Sequence, residues 1–206
     1  MPIDYSLYLV TDRKILNGKD IFKAVEEAIK GGVTIVQLRE KDISSLEFYN
    51  IAIKMKKLTS YYNIPLIIND RLDIALSVDA DGLHIGQEDL PLKVARKLIG
   101  DKILGYSVSS IEEAIYGEES GADYLGAGPV YPTLSKADAK APIGVETLKK
   151  IKDSVSIPVV GIGGIGISNI EEVKKTNIDG ISLISSILGS SSIEEASRKL
   201  ISLWRK

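Results

Sequence analysis

Cysteine is absent, and that one gap removes structural disulfides, thiolate nucleophiles and cysteine-ligated zinc or iron–sulfur sites together. Histidine occurs once, as His84, so a multi-histidine metal centre is excluded as well. Charge of one sign is lacking: 26 Lys and Arg stand against 28 Asp and Glu, and a formal net charge of −2 leaves no basic excess to hold nucleic acid by counterion release. No apolar run approaches the roughly 20 residues that span a bilayer. The opening "MPIDYSLYLVTDR" has no basic stretch followed by an apolar core and a cleavage site. The expectation is a cytoplasmic enzyme or binding protein with neither nucleic acid nor membrane as partner. Linkers and low-complexity tracts are missing too, so residues 1–206 are expected to form one domain, large enough to bury roughly 70% of its unfolded surface. Apolar residues at 44% and charged residues at 26% match ordinary globular usage, with which a homo-oligomer is compatible but not required.

What is present is an alternation. Short apolar runs of strand length recur as "YSLYLV", "VTIVQL", "PLIIN", "DGLHI", "KILGYS", "ADYLGAG", "IPVVGIG" and "DGISLIS". Between them lie segments with apolar residues three and four apart, such as "DIFKAVEEAIKGG", "SSLEFYNIAIKMKKL", "SIEEAIYGEESG", "VETLKKIKD" and "SIEEASRKLISLW", which read as amphipathic helices. Ser44 or Ser45, Ser110, Ser168 and Ser192 stand at or near helix starts, and Gly31 and Gly121 stand where helices should stop. The units around "RLDIALSV" and "LPLKVARKLIG" predict shorter helices. Eight units in 206 residues, about 25 each, suit a compact (β/α)8 barrel of parallel strands sheathed in helices. A doubly wound open sheet would alternate in the same way. The count of eight, and the polar residues at nearly every strand end, favour the barrel, whose strand ends ring one mouth.

Candidate chemistry collects there. In "VTIVQLREK" the two-residue period puts Val33, Ile35, Gln37, Arg39 and Lys41 on one face if the extended backbone continues, so that face ends in two cations suited to a phosphate or pyrophosphate. "IINDR" ends the third strand with Asn69 and Asp70, and "HIGQEDL" follows the fourth with Asp89. Neighbouring strands lie about 5 Å apart, so these two carboxylates could share one hard cation of the Mg²⁺ kind, although an Asp after a strand is also a common helix cap. "GIGGIGISN" matches the G-x-G-x-x-G dinucleotide fingerprint in letters only, because it falls in the seventh unit and the acidic residue that follows, Asp179, precedes its strand. In a barrel it reads instead as half of a phosphate cup, with Gly164 after the seventh strand and Ile184 and Ser185 after the eighth. His84, alone on an apolar strand, reads as a structural residue or a neighbour of the bound substrate.

Two anion sites are therefore expected, one cationic with a metal and one of backbone amides. Between them, after the sixth strand, lies the longest irregular stretch, "GPVYPTLSKADAKAPIG", longer than the roughly 12 residues that compact domains carry without reason. Its Thr133, Ser135 and Lys136 are placed to bridge two phosphorylated groups.

The chain resembles the thiamine-phosphate synthase family. "LYLVTDR", "VQLREKD", "INDRLDIALSVDADGLHIGQEDLP", "GYSVSSIEEA", "GADYLGAGPVYPTLSKADAKAPIG", "IPVVGIGGI" and "ISLISSI" look like that family's motifs, in order and over nearly the full length. The resemblance implies a (β/α)8 barrel, a transferase that joins hydroxymethylpyrimidine pyrophosphate to a thiazole phosphate with release of pyrophosphate, and Mg²⁺ as cofactor. It implies that Gln37, Leu38, Arg39, Glu40 and Lys41, with Asn69, Ser107 and Lys136, bind the pyrimidine pyrophosphate, and that Asp70 and Asp89 hold the metal. Thr133, Leu134, Ser135, Gly164, Ile184 and Ser185 would receive the thiazole phosphate, and Lys136, Arg39, Lys41 and Ser107 would carry the chemistry. Ser135 stands where the family has threonine, which keeps the hydroxyl. A related thiazole tautomerase shares the fold, but its catalytic histidine would fall where this chain has Gly128, Pro129 and Val130. A barrel that binds thiamine phosphates without turning them over is the other reading.

Overall fold

The computed structural model describes residues 3–133 and 141–206. Its strands are β1 (Leu7–Val10), β2 (Ile35–Leu38), β3 (Leu66–Asn69), β4 (Gly82–Ile85), β5 (Ile103–Val108), β6 (Tyr124–Ala127), β7 (Val159–Ile162) and β8 (Gly180–Leu183). Every neighbouring pair is parallel, and β1 pairs with both β2 and β8, so the sheet closes into a barrel in sequence order. Closure decides between the barrel and the open sheet, because a doubly wound sheet would leave two edges.

Each connection returns the chain along the outside through a helix: α1 (Arg13–Leu16), α2 (Ile21–Lys30), α3 (Ser45–Tyr61), α4 (Leu72–Ser77), α5 (Leu92–Ile99), α6 (Ile111–Glu119), α7 (Gly144–Ser154), α8 (Ile170–Lys174), α9 (Ser185–Leu188) and α10 (Ile193–Arg205). The amphipathic spacing has its expected result. In α2, Ile21, Ala24, Val25, Ala28 and Ile29 are buried against the barrel, and in α10 Leu200, Ile201 and Trp204 are buried in the same way. Ser44, Ser110 and Ser192 are the N-caps of α3, α6 and α10, each hydroxyl accepting from the N–H three residues on. Ser168 stands two residues before α8, whose N-cap position is Asn169, and the Asn169 carboxamide turns back to accept from Gly166 N at 2.8 Å. The single-turn helices α1 and α9 are too short to leave a periodic signature.

A repeated device locks the end of the barrel opposite the mouth. Asp81, Asp123 and Asp179 immediately precede β4, β6 and β8, and each accepts from an N–H at the start of the strand before: Leu66 at 2.8 Å, Leu104 at 2.7 Å and Val159 at 2.7 Å. A cation from the helix that leads into each clamped strand completes the clamp, Lys56 on α3, Arg96 on α5 and Lys152 on α7. Thr34 plays the part for β1, its hydroxyl accepting from Leu7 N at 3.1 Å. Strand starts that would otherwise leave an N–H unpaired are thus closed at every second unit.

Candidate active site

The strand ends open into a cavity of about 420 Å³. Its wall is divided by charge. Arg39 and Lys41 after β2, Asp70 after β3, Glu88 and Asp89 after β4, and Glu113 on α6 line one side. Among the described residues the side built from β6, β7 and β8 is uncharged: Gly126, Pro129, Thr133, Gly164, Ile184 and Ser185 are typical of it.

At the charged pole, β2 ends at Leu38, so the regular strand stops before the residues predicted to extend it. The alternation nevertheless persists through irregular backbone. Arg39 and Lys41 line the cavity, while Glu40 between them turns outward to Arg13 at 3.0 Å. Arg39 is fixed twice, its N–H donating to Thr11 Oγ1 at 3.0 Å and its guanidinium pairing with Asp12 at 3.2 Å. Lys41 reaches across to Asp70 Oδ2 at 2.5 Å. Leu38 is buried behind the barrel wall and Gln37 lies below the cavity floor, so neither they nor Glu40 lines it. Glu40 Oε1 is a buried carboxylate oxygen with no hydrogen-bond partner, and burial pushes this carboxyl up despite Arg13.

Asp70 takes a left-handed conformation with φ of 61°, unusual for a residue with a side chain, while its N–H donates to His84 O at 2.8 Å. The twist points its carboxylate at the cavity, where Asp89 also lines the wall. Asp89 is held by Gly86 N at 2.7 Å. Its carboxyl is pushed up by burial, pulled down by the Gly86 N–H, and raised again by the negative charge of Asp70 beside it. Two facing carboxylates that repel each other, with oxygen as the only donor element, suit a hard divalent cation. No group of three or more His, Cys, Asp or Glu side chains gathers for a metal among the described residues, so such a cation would take its remaining ligands from water or from bound phosphate.

At the uncharged pole the backbone forms a cup. Gly163 and Gly164 have φ of 97° and 65°, and a Cβ on Gly164 would stand 2.7 Å from both Pro132 O and Tyr131 Cβ. The glycine is required because the chain leaving β6 lies directly on this turn, with Val130 N donating to Ile162 O at 2.8 Å and Tyr131 N to Gly163 O at 3.0 Å. Both ends of the long loop are tied down, since Ile143 N and Gly144 N donate to Pro129 O and Val130 O. Thr133 lines the cavity at the point where the described chain pauses, and Leu134, Ser135 and Lys136 lie outside the described residues. Ile184 and Ser185 close the cup from β8, where Ser186 Oγ donates to Ile165 O at 2.6 Å.

Asn69 and Ser107 line the wall between the poles, both facing the cavity from strands. The same wall carries a residue that sequence reasoning passed over: Gln87 donates to Ser107 O and accepts from Tyr106 OH, both at 2.8 Å, joining the ends of β4 and β5. Nor did periodicity single out Tyr8 and Tyr124, whose hydroxyls meet inside the barrel at 2.7 Å. A signal for them existed. Gly105 and Gly126 sit in strand interiors, where glycine marks a close approach, and both face the space that Tyr124 and His84 occupy.

A family model described as thiamine monophosphate synthase matches residues 7–187. A thiamine-phosphate synthase of Desulfitobacterium hafniense (strain DSM 10664 / DCB-2) is 58% identical over 206 residues, covering 100% of both chains. One of Clostridium acetobutylicum is 57% identical over 205 residues, 99% of this chain and 97% of its own. Among solved structures, thiamine phosphate pyrophosphorylase from Pyrococcus furiosus superposes with a TM-score of 0.92 at 43% identity, over 98% of this chain and 96% of that one.

Proposed function

The chain belongs to the thiamine monophosphate synthase family and is a transferase of thiamine biosynthesis, and from that premise we propose how its cavity joins two small molecules into thiamine phosphate. The pyrimidine pyrophosphate lies with its pyrophosphate at the charged pole, and the thiazole phosphate lies with its phosphate in the uncharged cup. The observation that carries this reading is the division of the wall, with cations and carboxylates gathered on the side of β2 to β5 and neutral groups on the side of β6 to β8.

In the reaction the bond between the pyrimidine's exocyclic methylene and the pyrophosphate oxygen breaks, and its electron pair leaves with pyrophosphate. The thiazole nitrogen donates its lone pair to the same carbon. No proton has to move, which agrees with a chain that has one histidine and no cysteine. The aminopyrimidine itself can spread positive charge at that carbon, so the protein's task is to receive the leaving group and to align the nucleophile. Arg39 and Lys41 meet the charge growing on the pyrophosphate, Asn69 and Ser107 orient the pyrimidine, and the turn at Gly164 with Ile184, Ser185 and Thr133 holds the thiazole phosphate. Lys136, Leu134 and Ser135 enter the proposal on the family resemblance alone.

The pair Asp70 and Asp89 would hold Mg²⁺, which when bound supplies further positive charge to the leaving pyrophosphate. Without it, Lys41 already bridges to Asp70 and offsets part of the repulsion. The tautomerase reading gains no support, because the one histidine is in β4 and the end of β6 carries Gly128 and Pro129. No helix among the described residues is long and apolar enough to cross a membrane. A cytoplasmic site of action belongs to the proposal, since both substrates are phosphate esters that membranes do not pass.

Incubating the purified chain with both substrates and Mg²⁺ tests the reading. It predicts thiamine phosphate and pyrophosphate in equal amounts, loss of turnover with excess chelator and recovery on adding Mg²⁺. Absence of product with Mg²⁺ present, or an equal rate in chelator, would refute it.

A further inference from the structure

Five side chains on five strands form one unbroken hydrogen-bonded row across the barrel interior beneath the cavity. Gln37 Nε2 donates to Tyr8 OH at 2.8 Å, Tyr8 OH meets Tyr124 OH at 2.7 Å, Tyr124 OH meets His84 Nδ1 at 2.8 Å, and His84 Nε2 meets Ser107 Oγ at 2.8 Å. Four of the five are buried and the fifth, Ser107, lines the cavity. Proton counting gives the row a direction. A phenol has one hydrogen. Tyr8 accepts from Gln37, so its hydrogen goes to its other partner, Tyr124. Tyr124 accepts from Tyr8, so its hydrogen goes to His84 Nδ1. Nδ1 is therefore bare, and the imidazole carries its hydrogen on Nε2, from which it donates to Ser107.

With the Gln37 amide presenting Nε2 to Tyr8, the alternative leaves a buried donor without a partner. If Nδ1 carried a hydrogen, Tyr124 would have to donate to Tyr8, and the Tyr8 hydrogen would face the Gln37 amide hydrogens with no acceptor, at a cost of about 1–3 kcal/mol. Burial pushes both phenols up, so neither becomes a phenolate that could absorb the conflict. The barrel has been shaped for this row: Gly105 and Gly126 face it, and a Cβ on Gly105 would fall closer than 3.0 Å to Tyr124 and to His84 Nδ1.

We propose that Gln37, Tyr8 and Tyr124 are positioning residues that lock His84 in its Nε2–H tautomer and thereby fix Ser107 as a hydrogen-bond donor toward the cavity. With its oxygen already accepting from His84, the Ser107 hydroxyl turns its own hydrogen to the ligand, and it selects a substrate atom that accepts, such as an unprotonated ring nitrogen, over an amino group. The choice of acceptor rests on the pyrimidine occupying this wall as proposed above, whereas the tautomer does not.

A single histidine makes the test direct. Nitrogen NMR of ¹⁵N-histidine-labelled protein, free of substrate, reports which ring nitrogen carries hydrogen. The expected result at neutral pH is the neutral Nε2–H form. Tyr8→Phe, which never touches the imidazole, should keep the Nε2–H form, because Tyr124 is then left with Nδ1 as its acceptor, and should cut the link from Gln37 to the imidazole. Gln37→Glu, whose carboxylate only accepts, should reverse the row and invert the tautomer. A folded Gln37→Glu protein with the wild-type tautomer overturns the proposal, and a wild-type protein in the Nδ1–H or imidazolium form overturns it whether or not Gln37→Glu folds. In kinetics, Gln37→Glu should raise KM for the pyrimidine substrate about fivefold, one hydrogen bond's worth, with KM for the thiazole phosphate unchanged. A shifted tautomer with both KM values unchanged would overturn the placement of the pyrimidine against Ser107.

Discussion

Gly105→Ala adds one methyl group at the most crowded point of the barrel interior. The new Cβ would fall closer than 3.0 Å to Tyr124 Cζ, Tyr124 OH and His84 Nδ1, where the phenol and the imidazole meet at 2.8 Å. Neither ring can retreat far enough to clear it. Tyr124 is fully buried, packed at 5.1 Å from Tyr5 and 5.8 Å from Tyr8 between ring centroids, and His84 is tied to Ser107 on its far side. Overpacking of this kind costs about 1–3 kcal/mol. Separating phenol from imidazole leaves one buried polar atom unpaired, at about 1–3 kcal/mol more. For a chain of 206 residues the melting temperature falls about 2–4 °C per kcal/mol, so the sum corresponds to a loss on the order of 10 °C. Gly126→Ala is the internal control, because its Cβ would meet only His84 Cε1 at 3.0 Å and Nε2 at 3.4 Å, a tight fit that a small ring movement relieves. That variant should lose about 3 °C or less. Thermal unfolding followed by circular dichroism measures both. A Gly105→Ala melting temperature within about 2 °C of wild type, or a Gly126→Ala protein that is the less stable of the two, would refute the reasoning.

Asp123→Ala opens one clamp at the end of the barrel away from the cavity. The freed Leu104 N–H costs about 1–2 kcal/mol, and the half-exposed Arg96 pair adds little. Melting should drop by about 3–6 °C with kcat and KM within twofold of wild type, and a large kinetic defect would show that this end is not purely structural. Lys136→Ala, if this lysine meets the charge of the departing pyrophosphate, should lower kcat by about 10² to 10³ with little change in KM. Lys136→Arg should recover part of that loss, while Thr133→Ala should mainly raise KM for the thiazole phosphate. A Lys136→Ala enzyme with normal kcat would remove the lysine from the chemistry. Burial raises the Glu40 carboxyl above its ordinary 4.5, so the folded state holds this proton more tightly than the unfolded one and the residue costs stability as pH rises past that value. Glu40→Gln should then melt at or above the wild-type temperature at pH 7 and match it near pH 4, and thermal scans that show the variant less stable at pH 7 would contradict this.

Strand positions were legible because strands buried on both faces read as unbroken apolar runs, and in this chain each of the eight is bounded by a polar or glycine signal. Helices of two turns or more were legible for the matching reason, that one face must be apolar. The single-turn helices α1 and α9 carry no such period and were invisible. In the site, spacing alone brought out Arg39, Lys41, Asp70 and Asp89, since each follows a strand whose direction fixes where its end lies. The interior row from Gln37 to Ser107 was not legible in this way. It depends on which strands face each other across a closed barrel, and pairing of residues as distant as Tyr8 and Tyr124 leaves no local pattern. The αL twist at Asp70 was hidden too, because Asp in that position looks like an ordinary helix cap in the sequence.

The division of the cavity into a charged and an uncharged pole is tested most directly by titration calorimetry on two variants, one at each pole. Asp70→Asn should weaken the binding of pyrophosphate in the presence of Mg²⁺ by tenfold or more, about 1.4 kcal/mol, and leave binding of the thiazole phosphate as in wild type. Gly164→Val, whose side chain would strike Pro132 O and Tyr131, should do the reverse. If both variants weakened the same ligand, or if each weakened the ligand assigned to the other pole, the two-pole account would be wrong.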